Sequence, residues 1–331
     1  ALSGLEPDTR IFYRVTLEDA EGNLLESDGL SFRSAPEASR AVTFAAIGDT
    51  ESRPWINNAV AKGMWATRPD FILHLGDLSD NGERERKPQW THEYFAGMEQ
   101  IQSRIPVFAV PGNGEDDNLY WFQRYFPAPR DQGNRAGFYH FTYGPVDFLM
   151  LDSNERSGEF QAGGRQYEWL RERLEDAERQ WKVVCFHHPG TPGTYGDNEA
   201  VNGLVPLFDQ YGVDLVLNGH KHTYERSKPR VGRTLDPEGT VYIITGGAGG
   251  NLKDEAGTEG KSRFTERLYR NYHYLVLSAD AAVLEGRMYD LDGNVRDTFV
   301  VSGEREPWET TFPHALPSPA GDGWIYTWSI G

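Results

Sequence analysis

Short apolar runs alternate with amphipathic segments from residue 41 onwards. Apolar runs of this length are typical of buried strands, and they occupy residues 42–47, 70–75, 106–110, 182–186, 213–217 and 240–245. Apolar residues at helical spacing predict helices at 57–66, around Trp90 to Met98, and at 166–179. Strands that alternate with helices predict an α/β fold.

Antiparallel pairing is predicted at two places. Residues 138–143 and 146–151 are joined by Gly144-Pro145 and predict a hairpin. Strands at 272–278 and 283–289 precede the aspartate-rich segment 290–294. That segment resembles a calcium loop in composition. It lies between the strand at 283–289 and a further strand after it, so a hairpin turn is the preferred interpretation.

The first 36 residues have a different pattern, with strands at 12–15 and 30–33 and a turn at 21–23. Such strands cannot cover their own apolar face, so we expect them to pack on the following domain or to have lost their first half by truncation. The predicted domains are a β segment at 1–36, an α/β domain at 40–303 and an irregular tail, rich in Pro, Gly and Trp, at 304–331.

The charge balance bears on the binding partners. The 331 residues include 33 Lys and Arg against 50 Asp and Glu, a net charge of -17. This charge repels polyanions, so we do not expect nucleic acid binding.

Cys185 is the single cysteine and lies in an apolar run, so we interpret it as a small core residue rather than a nucleophile. No apolar run reaches about 18 residues, so no membrane span is predicted.

Polar residues that can bind metals stand just after the predicted strands. Because open α/β sheets build their sites at the carboxyl ends of strands, these side chains can converge. Carboxylate, amide and imidazole ligands in this number suit a pair of ions bridged by a central carboxylate. The candidate metal ligands are Asp49, Asp77, Asn113, His187, His220 and His222.

The candidate ligands lie in five ordered blocks that resemble those of the calcineurin-like metallophosphoesterases. The His-x-Pro form of the fourth block and the Tyr-Glu-Arg extension of the fifth are most similar to the purple acid phosphatase branch. The resemblance covers residues 40–303, and residues 1–36 resemble the last strands of a fibronectin type III domain. The blocks are Gly48-Asp49, Gly76-Asp77, Gly112-Asn113-Gly114-Glu115, His187-His188-Pro189 and Gly219-His220-Lys221-His222-Thr223-Tyr224-Glu225-Arg226.

The resemblance implies a four-layer α/β/β/α sandwich with a dimetal centre between its two sheets. The implied cofactors are two divalent or mixed-valence ions of Mn, Fe or Zn. The implied reaction is hydrolysis of a small phosphoester by in-line attack of a metal-bridging hydroxide on phosphorus. It also implies a secreted, periplasmic or cell-surface location. The implied ligands are Asn113, His187 and His220 for one ion, Asp49 and His222 for the other, and Asp77 as the bridge.

The sequence departs from the family pattern at three positions. Asp80 stands where purple acid phosphatases have a tyrosine, and Glu51 where the wider superfamily has a histidine; either could add an oxygen ligand. Gly114 stands where the third block has a histidine that contacts the phosphoryl oxygen or protonates the leaving group. His188 is the nearest candidate substitute, although strand alternation would point it away from the side on which His187 lies.

The other catalytic candidates are charged residues in the blocks or near them. They are Glu115 and Arg226, with Arg53 and Lys221 as further cations for the phosphoryl oxygens. Solvated surface charge is the alternative interpretation of the cations. Because of Gly114, a second hypothesis is a metal-binding or adhesion protein whose phosphoesterase domain has lost activity. A third hypothesis keeps the enzyme and makes diesters or phospholipid-like esters its substrates.

Overall fold

The structure, a computed structural model, describes residues 4–115, 119–127, 137–154, 161–190, 199–252 and 262–303. The predicted tail at 304–331 therefore lies outside the described residues.

In chain order the strands are β1 Arg10–Tyr13, β2 Thr16–Glu18, β3 Leu24–Glu26, β4 Leu30–Arg33, β5 Val42–Ile47, β6 Phe71–His74, β7 Val107–Ala109, β8 Tyr139–Tyr143, β9 Val146–Met150, β10 Trp181–Cys185, β11 Leu215–Asn218, β12 Tyr224–Ser227, β13 Arg230–Val231, β14 Thr234–Leu235, β15 Val241–Thr245, β16 Thr265–Tyr269, β17 His273–Ala279, β18 Val283–Asp290 and β19 Val295–Gly303. The α-helices are α1 Pro54–Ala66, α2 Lys87–Gln89, α3 Ala96–Gln102, α4 Phe122–Tyr125, α5 Arg165–Glu175, α6 Glu199–Asn202 and α7 Val205–Tyr211, and a π-helical segment, Trp90–Phe95, joins α2 to α3.

The strands form two large sheets. One has six strands in the order β19-β18-β17-β5-β6-β7, in which β5, β6 and β7 run parallel to one another. The other has seven strands in the order β16-β12-β15-β11-β10-β9-β8, in which β9, β10, β11 and β15 run parallel. The alternation of strands and helices in the sequence therefore produces the predicted α/β architecture.

One apolar layer fills the space between the two sheets, because successive side chains of a strand point to opposite faces. On β5, Phe44 faces this layer whereas Ala45 faces the outer helices. On β10, Val183 faces the layer whereas Val184 faces outwards. The ring of Phe148 from β9 packs edge-on against Phe44, with 5.2 Å between centroids, and so joins the two sheets.

Helices cover the outer face of each sheet. Val60 and Met64 of α1 pack in one cluster with Ile72 of the six-stranded sheet. Phe208 of α7 packs beside Phe186, which follows β10 of the seven-stranded sheet, with 6.4 Å between ring centroids. The predicted four-layer α/β/β/α sandwich is thus confirmed. None of the helices in the described residues is long and apolar enough to cross a membrane.

Most predicted elements are found with small shifts at their ends. The hairpin around Gly144-Pro145 is confirmed by the antiparallel pairing of β8 with β9. Segment 290–294 joins β18 to β19, and the Asp290 carboxylate accepts the backbone N–H groups of Asp292 and Asn294 at 3.0 and 2.9 Å, which confirms a hairpin turn. Cys185 is buried, as expected for a core residue. Strands β12 and β16 were not predicted, because charged residues interrupt their apolar pattern.

The N-terminal strands form two antiparallel pairs. Strand β1 pairs with β4, and β2 pairs with β3 in a hairpin around the predicted turn at 21–23, although neither β2 nor β3 was predicted. The Tyr13 hydroxyl donates a hydrogen bond to the carbonyl oxygen of Ser103, which ties β1 to the segment after α3. Phe12, on the opposite side of β1, is 77% exposed. These strands are compatible with a fibronectin type III-like segment, and the domain boundaries remain predictions.

His273, at the start of β17, makes the fold sensitive to acid. Burial lowers the pKa of its imidazole from 6.5 to about 4. The unfolded chain therefore binds a proton at a higher pH than the folded chain, and stability falls by about 3 kcal/mol as the pH drops from about 6.5 to about 4. We expect His273→Gln to lose less unfolding free energy over this range than the wild type in urea titrations at each pH. Parallel pH profiles for the two proteins would contradict this assignment.

Candidate metal centre

The candidate ligands stand at the carboxyl ends of parallel strands from both sheets. Each follows its strand within a few residues, where the chain turns into a loop. Because the sheets pack face to face, loops from the two sheets meet at one end of the sandwich. The six-stranded sheet supplies Asp49, Asp77 and Asn113, and the seven-stranded sheet supplies His187, His220 and His222.

The first group of side chains surrounds the amide oxygen of Asn113. His187 Nε2 lies 3.1 Å from this oxygen, and His220 Nδ1 lies 2.9 Å from it. Asp77 Oδ2 is 3.2 Å from His187 Nε2. The other nitrogen of His187, Nδ1, donates to the carbonyl oxygen of Leu75 at 2.7 Å. A hydrogen bond of this kind orients a ligating imidazole, because it leaves Nε2 to face the metal.

The second group surrounds His222. Its Nε2 lies 3.3 Å from Asp49 Oδ1 and 3.4 Å from Glu51 Oε1. Its Nδ1 donates to the carbonyl oxygen of Asn251 at 2.6 Å, so this imidazole is oriented in the same way as the first. Asp49 Oδ2 accepts the backbone N–H of His220 at 3.0 Å. Asp49 Oδ1 is buried and accepts no hydrogen bond.

The donor set fits the binding of metal ions. Ligand atoms of Asp49, Asp77 and His187 lie within 4.8 Å of one another, as do those of His187, His188 and His220. Buried carboxylate oxygens without donors are unfavourable unless a cation compensates them. Mixed oxygen and imidazole ligands of this kind suit Mn, Fe and Zn.

Three of the candidate ligands have an unusual backbone conformation. The φ angles of Asp49, Asp77 and His220 are 62°, 51° and 67°, in the left-handed region. This conformation costs a residue other than glycine roughly 1–2 kcal/mol, and such strain is concentrated at functional sites. Each of these residues lies at a sharp turn within three residues of its strand, which places its side chain at the sheet end.

Asp77 and His187 form a buried ion pair. Burial favours the neutral form of the Asp77 carboxyl, but His187 and the Gly114 amide lower its pKa to about 2. Burial likewise opposes charge on His187, but Asp77 and Asp49 raise the pKa of its imidazole to about 10. Asp77 is therefore ionised, which is the state that metal binding requires, whereas His187 would have to release its Nε2 proton to an incoming ion.

Glycines allow the loops to approach the ligands. A Cβ on Gly219 would lie 2.7 Å from Asp49 Oδ2, and a Cβ on Gly250 would lie 2.7 Å from His222 Cε1. Gly250 belongs to a glycine-rich run, Gly246-Gly247-Ala248-Gly249-Gly250, that precedes Asn251. The sequence interpretation missed this run and the contact of Asn251 with His222. The density of glycines after β15 is the signal that could have found them.

Glu115 is a positioning residue rather than the catalytic residue that was predicted. Its buried carboxylate accepts the backbone N–H groups of Asp77, Leu78 and Gly112 at 2.9, 2.7 and 2.6 Å. Both of its oxygens are therefore occupied by amides. These bonds fix the two loops that carry Asp77 and Asn113.

The loop at Gly114 has no room for the histidine of the family pattern. A Cβ on Gly114 would collide with the carbonyl oxygen of Ser79. The backbone N–H of Gly82 also donates to the carbonyl oxygen of Gly114. Any side chain at position 114 thus requires the 79–82 segment to move, so the departure from the family pattern is built into the backbone.

His188 lies beside the first group, although strand alternation predicted that it would point away. Its ring centroid is 4.6 Å from that of His220 and 4.8 Å from that of His187. Alternation does not apply because β10 ends at Cys185, before both histidines. Ser153 Oγ accepts the backbone N–H of His188 at 2.9 Å and lies 3.0 Å from its Nδ1.

Arg226 is not at the metal centre, which corrects its prediction as a catalytic residue. Its Nε and Nη2 donate to the carboxylate of Asp297 on β19 at 2.7 and 3.1 Å. The Tyr224 hydroxyl donates to the same carboxylate at 2.8 Å. The half-buried guanidinium is thus paired with the buried Asp297 carboxylate rather than with a candidate ligand. Arg53 is closer, since its guanidinium donates to the Gly249 carbonyl oxygen at 3.1 Å in the loop that orients His222.

Comparison with known proteins identifies the family. Residues 42–224 match the family described as calcineurin-like phosphoesterase, and the chain belongs to it. Purple acid phosphatase 15 of Arabidopsis thaliana is 27% identical over 291 residues, which cover 76% of this chain and 53% of that protein. Probable inactive purple acid phosphatase 27 of the same plant is 24% identical over 365 aligned positions, which cover 92% of this chain and 57% of that protein.

The fold comparison agrees with the family. The solved structure of purple acid phosphatase PPD1 from yellow lupin (Lupinus luteus) seeds has a TM-score of 0.79 and 21% sequence identity, and the match covers 90% of this chain and 60% of that chain. The chain spans slightly more than half the length of these relatives. The resemblance to purple acid phosphatases that the five blocks predicted is confirmed.

Gly250 offers a test of the placement of His222. We expect Gly250→Ala to displace the imidazole and to weaken the binding of one ion by at least about tenfold, since disturbing the groups that orient a ligand costs about 10- to 100-fold in affinity. Titration calorimetry with Mn²⁺ measures the change. Gly29→Ala is the matched control, because its added methyl group meets nothing within 4 Å. Equal affinities in all three proteins would contradict the placement.

Proposed function

We propose that this protein is a dimetal phosphoester hydrolase. The observation that carries the proposal is the pair of ligand groups at the end of the sandwich, one around Asn113 and one around His222. Ligand atoms of Asp77 and Asp49 lie within 4.8 Å of each other, so a single carboxylate is available to both groups. Membership of the calcineurin-like phosphoesterase family supports the same reaction class.

The proposed ligands divide between two ions, with Asp77 shared. When bound, ions at this site would lower the pKa of a coordinated water and offset the charge of a phosphoryl group. The protein holds the ligands in place: the Leu75 and Asn251 carbonyl oxygens orient two imidazoles, and Glu115 fixes the loop of Asp77. We assign Asn113, His187 and His220 to one ion and Asp49 and His222 to the other.

We assign His188 to protonation of the leaving group in acid, because burial and the neighbouring His187 lower the pKa of its imidazole to about 4. Ser153 holds it through the backbone N–H and Nδ1, which leaves Nε2 as the nitrogen that can donate to a leaving oxygen. Its ring lies beside that of His220, so a substrate on the ligand groups is within its reach. His188 thereby takes the place of the histidine for which Gly114 leaves no room.

The substrate that suits this site is a small phosphoester. Arg53 lies beside the second ligand group and Lys221 stands between His220 and His222, so both offer positive charge to the phosphoryl oxygens. Relatives are named purple acid phosphatases, which supports an acid phosphatase activity. Two divalent or mixed-valence ions of Mn, Fe or Zn are the proposed cofactors.

A second candidate function is metal binding or adhesion without turnover. Gly114 favours it, because the usual third-block histidine cannot be accommodated there. Two relatives are also named probable inactive purple acid phosphatases. Hydrolysis of a chromogenic phosphomonoester or diester by the manganese-loaded protein separates the two functions.

Asp77 provides the direct test of the proposed reaction. We expect the manganese-loaded wild type to hydrolyse p-nitrophenyl phosphate or its diester, and chelation to abolish turnover. Asp77→Asn removes the shared carboxylate and should lower kcat/KM by at least about 100-fold, because metal ions supply several kcal/mol of transition-state stabilisation. Asp292→Asn, in the exposed β18–β19 turn, is the matched control. Turnover by Asp77→Asn at the wild-type rate would refute the proposal.

His188 is tested by the nature of the leaving group. Protonation of a leaving oxygen is typically worth about 10²- to 10⁴-fold in rate, and a poor alkoxide leaving group needs it most. We therefore expect His188→Asn to slow an alkyl phosphate far more than p-nitrophenyl phosphate. His92→Asn, on the exposed side of the π-helical segment, should change neither rate. If both esters slow equally in His188→Asn, His188 does not act on the leaving group.

A further inference from the structure

The two proposed metal sites have unequal numbers of protein ligands. One ion has Asp77, Asn113, His187 and His220. The other has only Asp49, Asp77 and His222. Each missing ligand weakens the hold on an ion, so the second of these sites is incomplete as it stands. One more oxygen ligand close to Asp49 and His222 would give each site four protein ligands.

Glu51 brings a carboxylate to the incomplete site. Its Oε1 lies 3.4 Å from His222 Nε2, while Asp49 Oδ1 lies 3.3 Å from the same nitrogen. The Glu51 side chain is only 13% exposed. Three potential ligand atoms therefore converge from three residues of two separate chain segments.

The loop conformation directs Glu51 to this place. The Asp49 carbonyl oxygen accepts the backbone N–H of Gly250 at 2.8 Å, and the Glu51 carbonyl oxygen accepts that of Arg53 at 2.8 Å. Ser52 has a φ of 70°, in the left-handed region. The turn after β5 is thus held against the glycine-rich run at a position where Asp49 and Glu51 face the same imidazole.

An independent observation indicates a cation between these groups. Asp49 Oδ1 is completely buried and accepts no hydrogen bond. His222 Nδ1 donates to the Asn251 carbonyl oxygen, which turns Nε2 towards the two carboxylates. Carboxylate oxygens that converge in a buried site repel one another unless positive charge lies among them, and the proposed ion supplies that charge.

We propose that Glu51 is a direct ligand of the ion held by Asp49, Asp77 and His222. This inference rests on the proposed dimetal function and deepens it. The completed site has three carboxylates and one imidazole, whereas the other has two imidazoles, one amide oxygen and the shared carboxylate. Carboxylate-rich sites favour harder ions such as Mn²⁺, so the Glu51 site is the manganese-preferring site of the pair.

Asp80 is the competing source of an oxygen ligand. It is exposed, and its backbone N–H donates to Glu93 Oε2 at 2.7 Å. Among the described residues its carboxylate makes no hydrogen bond or ion pair. The geometry therefore favours Glu51, and Asp80→Asn is a matched carboxylate-to-amide control for Glu51→Gln.

The test is a count of bound ions and their affinities in the full chain, without an activity readout. Wild type, Glu51→Gln, Glu51→Asp and Asp80→Asn are stripped with a chelator and loaded with Mn²⁺. Ions per chain are measured by mass spectrometry after gel filtration, and affinities by competition with a fluorescent chelator. Circular dichroism checks that each variant is folded.

We expect wild type and Asp80→Asn to bind two ions per chain. Glu51→Gln should keep one ion at wild-type affinity and bind the other at least about tenfold more weakly, since even outer groups around a ligand are worth about 10- to 100-fold. Glu51→Asp, with a shorter carboxylate, should lie between Glu51→Gln and the wild type.

Two wild-type affinities in Glu51→Gln would overturn the inference, and so would loss of an ion in Asp80→Asn instead. Loss of both ions from folded Glu51→Gln would also contradict it, because the other site does not use Glu51. A wild type that binds fewer than two ions overturns the proposed function itself, which keeps the two failures apart.

Discussion

The packing of aromatic rings between the two sheets is the interaction on which the proposed metal centre depends. Phe44 and Phe71 stack within the six-stranded sheet at 5.2 Å between centroids, and Phe148 of the other sheet packs edge-on against both, at 5.2 and 5.4 Å. Interiors packed at this density transmit displacements rather than absorb them. Each sheet carries half of the proposed ligands, so this apolar layer sets the distance between the aspartates and the histidines.

The fold and the convergence of the candidate ligands could be predicted because local signals determine them. The apolar run Val42–Ile47 defines β5 by its length and composition, and Asp49 follows it at a glycine turn. Asn251 could not be predicted in the same way. Its carbonyl oxygen accepts from His222, 29 residues earlier in the chain, and nothing in the local spacing indicates that contact.

The roles of the catalytic candidates could not be predicted from local sequence patterns. The alternation rule placed His188 on the wrong side because β10 ends at Cys185. Arg226 was assigned to the substrate by its closeness to His222 in sequence, yet its partner is Asp297, 71 residues away. Gly114 looks like the loss of one side chain, but the 79–82 segment occupies the space that a side chain would need. For Arg226 and Gly114, a contact distant in sequence decides the role.

We propose that two ions share Asp77 at the end of the sandwich. Anomalous X-ray diffraction from crystals of the manganese-loaded protein would locate them. We expect two anomalous peaks roughly 3.5–4 Å apart, the separation typical of two-metal hydrolases, with the Asp77 carboxylate between them. A single peak, or two peaks of which only one contacts Asp77, would contradict it.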